Sequence, residues 1–303
     1  MIKELHFEQG EFQARLAAVK QEMSHRGIDI LLLSEPPNQN YLTGYNAYSF
    51  YTPQLVIVAQ DHDEPIWIGR FMDRVSASMT TYLAEENIRA YPDTYVQSAT
   101  VSAYVFMADI VKELGGEKVR IGVEMGGYYY PARAHADLTH ALPNAEFVDA
   151  DLLVGWIRLV KSPAEVAMMR QAGLLADAAM KRVIDTVGAG VRECDIAAAI
   201  YHQQISGTPE FGGDYPSCPP DLCIGERSIA PHARLDGRTA AELHRRQSGT
   251  VRMPPQVAGQ SCSHDCRGQS FTSFPKSIEN SCRSTECWPR STPSGDNVFA
   301  GRR

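Results

Sequence analysis

Cysteine is almost absent from the first two thirds of the sequence. Cys194 is the only cysteine among the first 217 residues, and the other six of the seven in the chain lie from Cys218 onward. A small secreted domain stapled by disulfides has cysteines throughout its length, so this distribution excludes such a framework for the N-terminal part. We therefore expect that part to be a reduced, cytoplasmic protein.

Positive charge and long apolar runs are also scarce. The 303 residues contain 29 Lys and Arg against 36 Asp and Glu, which gives a formal net charge of -7. Such a balance gives no overall attraction for nucleic acid or for an anionic membrane surface. No apolar run approaches the roughly 20 residues that span a bilayer, and residues 1–6 lack the apolar core of a secretory signal. The sequence predicts a cytoplasmic protein with no nucleic-acid or membrane partner.

Helical and strand patterns alternate along the first half of the chain. Apolar residues recur at helical spacing over 11–26, and Gly27 ends that helix. A second helix is predicted over 100–114, and Pro36-Pro37-Asn38 is predicted to be a loop. Short strand patterns occur at 28–33, 55–58, 65–68, 119–123 and 147–149. The alternation predicts an α/β domain with a mixed sheet over residues 1–158.

A second domain is predicted to begin after Arg158. Ser162 suits an N-cap, Pro163 suits a first helical turn because its missing N–H needs no partner there, and Glu165 completes a capping box. Another helix follows over 193–205. Two successive helices after an α/β domain indicate that residues 159–237 belong to a different domain.

The composition changes at about residue 238. Residues 238–303 contain ten serines, four cysteines, ten Lys and Arg and only five Asp and Glu, and their apolar residues follow no helical or strand period. Such a segment buries too little apolar surface to offset the entropy of ordering it, so we expect disorder. A shift of the reading frame near codon 238 would produce this composition. The spacing of Cys262, Cys266, Cys282 and Cys287 admits a zinc site, but the pattern around them is not that of one.

Several motifs occur in a consistent order along residues 1–237. They are Asn-Tyr-Leu-Thr-Gly-Tyr at 40–45, Ser-Phe-Tyr at 49–51, Ile-Gly-Val-Glu at 121–124, Phe-Val-Asp-Ala at 147–150 and Arg-Leu-Val-Lys-Ser-Pro-Ala-Glu at 158–165. Together they resemble the creatinase, prolidase and aminopeptidase P family. The segments at 90–98, 212–216 and 230–232 are similar to the ectoine hydrolase branch of that family.

The resemblance implies an α/β N-terminal creatinase-type domain followed by an incomplete α+β pita-bread catalytic domain. It also implies a homodimer in which the small domain of one subunit closes the active site of the other. The ectoine hydrolase branch adds water to a cyclic amidine and yields an acetylated diaminobutyrate. The peptidase branch implies instead a metal-dependent Xaa-Pro aminopeptidase or dipeptidase, with two metal ions held by two Asp, one His and two Glu. A vestigial protein that binds without catalysis is the third interpretation.

The resemblance assigns candidate site residues. His232 matches the family's histidine near the reacting centre, and histidine suits proton transfer because it titrates near neutral pH. Phe50 matches an aromatic that packs on substrate in creatinase. Tyr48 beside it suits a protonated amidine, although packing in a strand or an interface explains these rings equally well. Asp214 and Tyr215 follow two glycines, and we place them in the pocket lining.

Creatine itself is disfavoured as substrate. Thr52 stands where creatinase has an arginine, and a hydroxyl cannot form the bidentate, charged contact with a carboxylate that arginine provides. The strands that would carry the remaining catalytic residues are not recognisable after residue 237. We therefore predict no acid partner for His232, no metal ligands and no cofactor. We expect a truncated and catalytically defective member whose ancestral ligand was a small ectoine-like molecule.

Overall fold

The computed structural model describes residues 3–216, 218–220 and 222–224, together with residues 227, 229–230, 234–235, 237 and 239. Eight α-helices and six strands follow one another in the described residues. They are α1 (Gln9–Arg26), β1 (Ile30–Leu33), α2 (Pro36–Thr43), β2 (Leu55–Ala59), β3 (Ile66–Arg70), α3 (Arg74–Thr80), β4 (Ile88–Tyr91), α4 (Ala103–Glu113), β5 (Arg120–Val123), α5 (Ala132–Ala141), β6 (Glu146–Asp149), α6 (Leu153–Leu159), α7 (Pro163–Thr186) and α8 (Glu193–Ser206).

The six strands form one mixed sheet in the order β4-β3-β2-β1-β5-β6. The pairs β1–β2 and β2–β3 are antiparallel, whereas β1–β5, β3–β4 and β5–β6 are parallel. The mixed α/β sheet that the sequence predicts is therefore confirmed. Since β1 and β5 run parallel as neighbours, the segments that follow Leu33 and Val123 leave the sheet at the same edge.

Both faces of the sheet are covered. On β1, Leu31 and Leu33 pack into a cluster with α1, α2 and α6, while Ile30 and Leu32 pack into a second cluster with α4 and α5. A strand buried on both faces has no polar alternation, which explains the continuous apolar pattern of its sequence. Burial of each such side chain contributes about 1.5–3 kcal/mol.

One predicted loop is in fact a helix. Pro36-Pro37-Asn38 opens α2, with proline in the first turn, so the loop prediction is wrong. Proline at this position loses no hydrogen bond, because the first N–H groups of a helix have no partner within it. By contrast, the predicted end of α1 is confirmed, since Gly27 adopts a left-handed conformation (φ 63°) that glycine tolerates without strain.

The second domain is described mainly by α7 and α8. Ser162 Oγ accepts a hydrogen bond from Glu165 N (3.1 Å), and Glu165 Oε2 accepts one from Ser162 N (2.9 Å), which confirms the predicted capping box. The two helices pack through an apolar cluster that also takes in Leu222 and Ile224. Apart from Thr239, the segment predicted to be disordered lies outside the described residues. None of the described helices is long and apolar enough to cross a membrane.

Candidate functional site

Three aromatic side chains from two loops meet beside the carboxyl edge of the sheet. The loop at 44–54 carries Tyr48 and Phe50, whose ring centroids lie 4.7 Å apart at 68°. Phe50 also contacts Tyr129, from the loop at 125–130, at 5.8 Å and 75°. Tyr48 is 80% exposed and Phe50 is half-buried. We call Tyr48, Phe50 and Tyr129 the aromatic surface.

Buried polar contacts hold the loop at 44–54 from beneath. Ser49 is 2% exposed, and its hydroxyl donates to Gln54 Oε1 (2.8 Å) and lies 2.5 Å from the Tyr45 hydroxyl. Thr52 donates to Ser49 O from its backbone N–H and from its hydroxyl, at 3.0 Å each. Burial raises the pKa of Tyr45, so its hydroxyl stays protonated. The rings above this network are therefore presented on a fixed backbone.

A buried carboxylate lies next to the aromatic surface, at the end of β5. Glu124 is 3% exposed. Its Oε2 accepts from Ser34 N (2.6 Å), Glu35 N (2.8 Å) and Ser34 Oγ (3.2 Å), and its Oε1 accepts from Asn38 Nδ2 (2.5 Å). Burial raises the pKa of Glu124 to about 7, although these hydrogen bonds oppose the effect. The carboxylate ties the end of β5 to the start of α2.

The loop at 125–130 is attached to the same place. Tyr129 N donates to Glu35 Oε1 at 3.1 Å. Gly127 permits the approach of this loop, because a Cβ there would lie 2.6 Å from Glu35 Oε1. Glu35 N in turn donates to Glu124. The backbone that carries Tyr129 is thus bonded to the network around Glu124.

The predicted site residues fall into three groups. Tyr48 and Phe50 meet at the aromatic surface, whereas Thr52 is buried beneath it with its hydroxyl bonded to its own loop. Asp214 and Tyr215 are exposed after α8, and Asp214 Oδ1 accepts from Tyr215 N (2.7 Å). Within the described residues, their hydrogen bonds and ring contacts include none to Tyr48 or Phe50. His232 lies outside the described residues, so its role stays a prediction, as do those of Thr52, Asp214 and Tyr215.

Tyr129, Glu35 and Glu124 are not among the site residues predicted from the sequence. Glu124 ends the Ile-Gly-Val-Glu motif, and a carboxylate directly after a buried strand is a signal of a site at the carboxyl edge of a sheet. No comparable signal marks Tyr129, since it lies in a loop far along the chain from Phe50.

The described residues do not supply a metal centre. None of their His, Cys, Asp and Glu side chains form a group of three or more arranged to hold a metal ion. The two-metal set of the peptidase branch therefore has no counterpart in the described part of the chain.

The two parts of the chain each match a known domain family. Residues 15–160 match the creatinase/prolidase N-terminal domain, and residues 167–263 match metallopeptidase family M24. The chain carries a creatinase/prolidase N-terminal domain followed by an M24 domain. This confirms the predicted fold class, a creatinase-type α/β domain followed by a pita-bread domain. The M24 match runs past residue 237, and the domain boundaries stay predictions.

Relatives of this family resemble most of the chain. An uncharacterised hydrolase/peptidase of Sinorhizobium fredii is 48% identical over 244 residues, which cover 79% of this chain and 62% of the relative. The ectoine hydrolase of Halomonas elongata is 39% identical over 238 residues, covering 77% of this chain and 59% of the enzyme. The structure of the prolidase from Thermococcus sibiricus matches with a TM-score of 0.61 at 18% identity, over 79% and 60% of the two chains. The chain thus spans about six tenths of the length of these relatives.

Proposed function

We propose that the protein is a hydrolase of a cyclic amidine C–N bond, with ectoine or a close analogue as substrate. The observation that carries the proposal is the aromatic surface, in a chain that is 39% identical to an ectoine hydrolase. A protonated amidine is a flat, delocalised cation. Aromatic rings attract such a cation through their quadrupole, by about 0.5–1 kcal/mol at an exposed site and more when water is excluded.

The proposed reaction adds water to the carbon between the two ring nitrogens. The oxygen of water bonds to this carbon, one ring C–N bond breaks, and the released nitrogen takes a proton. A base must remove a proton from water and an acid must protonate the nitrogen. We assign proton transfer to His232 by its match to the family motif. The expectation that this chain is catalytically defective stays a prediction.

We further propose that two copies of the chain associate, so that the aromatic surface of one subunit closes the site of the other. The support is the family resemblance and the 80% exposure of Tyr48 on the hydrogen-bonded loop at 44–54. A cytoplasmic location is part of the same proposal.

A Xaa-Pro peptidase is the alternative function. The matched M24 family and the prolidase-like fold favour it. Incubation of the purified 303-residue chain with ectoine, and separately with a Xaa-Pro dipeptide and Mn²⁺, separates the two. An acetylated diaminobutyrate formed from ectoine supports the amidine hydrolase. Metal-dependent release of proline overturns it in favour of the peptidase.

The vestigial alternative is separated by the same experiment. Binding of ectoine without product, in a chain that folds, indicates a protein that has kept recognition and lost catalysis. Absence of both binding and turnover for ectoine contradicts the proposed substrate.

A further inference from the structure

Glu124 is a buried titratable group that the proposed reaction does not use. At 3% exposure its carboxylate accepts four hydrogen bonds, all from residues 34–38 at the start of α2. An ionisable group is rarely buried unless its partners are fixed, because an unsatisfied buried carboxylate is costly. The arrangement therefore calls for a role beyond filling space.

The two loops of the aromatic surface both connect to this carboxylate. The loop at 125–130 starts directly after Glu124 and is bonded through Tyr129 N to Glu35 Oε1. The loop at 44–54 is reached through Gln39, whose Nε2 donates to Ser34 O (3.1 Å) and to Gln54 O (3.4 Å). The bonds that place Tyr129 and those that place Phe50 thus converge on one point of the fold.

The direction of the hydrogen bonds around Glu124 is fixed. Asn38 Nδ2 donates to Glu124 Oε1, and Asn38 Oδ1 accepts from Arg158 Nη1 at 2.8 Å. Arg158 can only donate, so the Asn38 amide cannot turn over without facing a donor with its own donor. Arg158 lies on α6, directly before the M24 part of the chain. The hydrogen bonds from Arg158 to Asn38 and from Asn38 to Glu124 can therefore run in this direction only.

We propose that Glu124 is a positioning residue that fixes the spacing of the two loops of the aromatic surface and so sets its affinity for a cation. The affinity part of this inference rests on the proposed function, whereas the loop-spacing part does not. Glu124 itself touches neither Phe50 nor the proposed substrate in this account. It acts through the backbone of Glu35 and the amides of Asn38 and Gln39.

Because the direction of these hydrogen bonds is fixed, the proposal can be tested by exchanging the carboxylate at position 124 and the amide at position 38. Glu124→Gln turns an amide donor toward the Asn38 donor, and Asn38→Asp places a second carboxylate against Glu124. The double variant restores the match, because the new amide at 124 donates to the new carboxylate at 38, which still accepts from Arg158. Hydrogen exchange of the full chain at pH 8, where Glu124 is ionised, followed by mass spectrometry, reports on the two loops separately.

Each single variant is expected to raise the exchange rates of both segments, 44–54 and 125–130, at least tenfold. The double variant is expected to return them to within about threefold of the wild type. The hydrogen-exchange rate of α4 stays unchanged if the effect is local. A general destabilisation of the protein would raise the rate in α4 as well. Glu146→Gln, which alters an exposed carboxylate on β6, is the matched control and leaves both loops unchanged. The inference is overturned if the loops do not respond to the single variants or if the double variant shows no recovery.

Two further variants keep the test decisive if Glu124→Gln or Asn38→Asp does not fold. Ser49→Ala removes the hydroxyl that holds the loop at 44–54, and Glu35→Ala removes the acceptor of Tyr129 N. Each is expected to loosen its own loop more than the other, since the hydrogen bonds of the two loops join at Glu124 and the loops otherwise touch through the Phe50–Tyr129 ring contact. Equal loosening of both loops by either variant contradicts the arrangement.

Ectoine serves as the binding probe. The dissociation constant of ectoine is expected to rise about tenfold in Glu124→Gln and in Asn38→Asp, and to return to the wild-type value in the double variant. If the wild type does not bind ectoine while the loops respond as expected, the proposed substrate fails and the positioning of the loops stands. Ectoine affinity that is unaffected in variants with loosened loops overturns the link between loop spacing and affinity.

Discussion

The burial of Glu124 predicts a specific dependence of stability on pH. Burial raises the pKa of this carboxyl from 4.5 to about 7, against the opposing effect of its hydrogen bonds. The folded protein therefore holds the proton more tightly than the unfolded chain between these two values. The stabilisation is complete below pH 4.5 and is lost as pH rises through 7. At about 1.4 kcal/mol for each pKa unit, it amounts to about 3 kcal/mol.

Glu124→Gln removes this titration. The variant carries a constant cost of about 1–3 kcal/mol, because its amide faces the amide of Asn38 without an acceptor. Urea unfolding at pH 5, 6, 7 and 8 gives the free energy of unfolding of both proteins. The difference, wild type minus variant, is expected to fall by about 2.5 kcal/mol from pH 5 to pH 8. A difference that stays flat, or that rises with pH, refutes the account of Glu124 as a carboxyl whose burial outweighs its hydrogen bonds.

Two further predictions concern the packing of the second domain. Arg15 is buried; its Nη1 donates to Tyr41 O (3.1 Å), and its Nη2 lies 3.6 Å from Glu165 Oε1 of α7. Arg15→Ala is therefore expected to lower the free energy of unfolding in urea by about 3 kcal/mol. Arg26→Ala, which breaks the more exposed pair with Glu22, is the control and costs under about 1 kcal/mol; equal effects contradict the role of burial. Ile200→Ala, in the α7–α8 cluster, is expected to cost about 2–5 kcal/mol in the unfolding of that part, and a thermal unfolding curve that does not move contradicts the packing of the two helices.

Much of the fold is readable from the sequence because local patterns agree with the tertiary structure. The helical period of α1 and the glycine after it, the apolar strands β1, β2 and β3, and the capping box at Ser162 each carry a local signal that packing reinforces. Prediction from the sequence fails where the local signal fits two structures. Pro36-Pro37 suits a loop or a first helical turn equally, and only the bonds at the carboxyl edge of β1 decide for a helix.

Other elements have no periodic signal at all. Strand β4 is a four-residue edge strand in which Arg89 and Ala90 are only half-buried, so neither alternation nor a continuous apolar run marks it. Helix α6 has seven residues and presents Trp156 to solvent. Such short elements form because the neighbouring sheet and helices supply their partners, and that information is not local.

Only one of the two loops of the candidate site could be predicted from the sequence. Phe50 and Tyr48 follow from a motif within one loop, and the structure brings their rings into contact. Tyr129 joins them from 79 residues further along the chain than Phe50, because the parallel pairing of β1 and β5 brings the two loops to one edge. A pairing between distant strands leaves no mark in the local sequence of either loop.

The recognition of a cyclic amidine by the aromatic surface is the central claim, and binding of ectoine tests it most directly. Saturation-transfer NMR or calorimetry with the full chain measures the affinity in the wild type, in Phe50→Ala and in Phe71→Ala, whose ring is 60% exposed and lies outside the aromatic surface. The account predicts ectoine binding that weakens at least tenfold in Phe50→Ala and is unchanged in Phe71→Ala. Ectoine binding that is absent from the wild type, or equal in all three proteins, would contradict it.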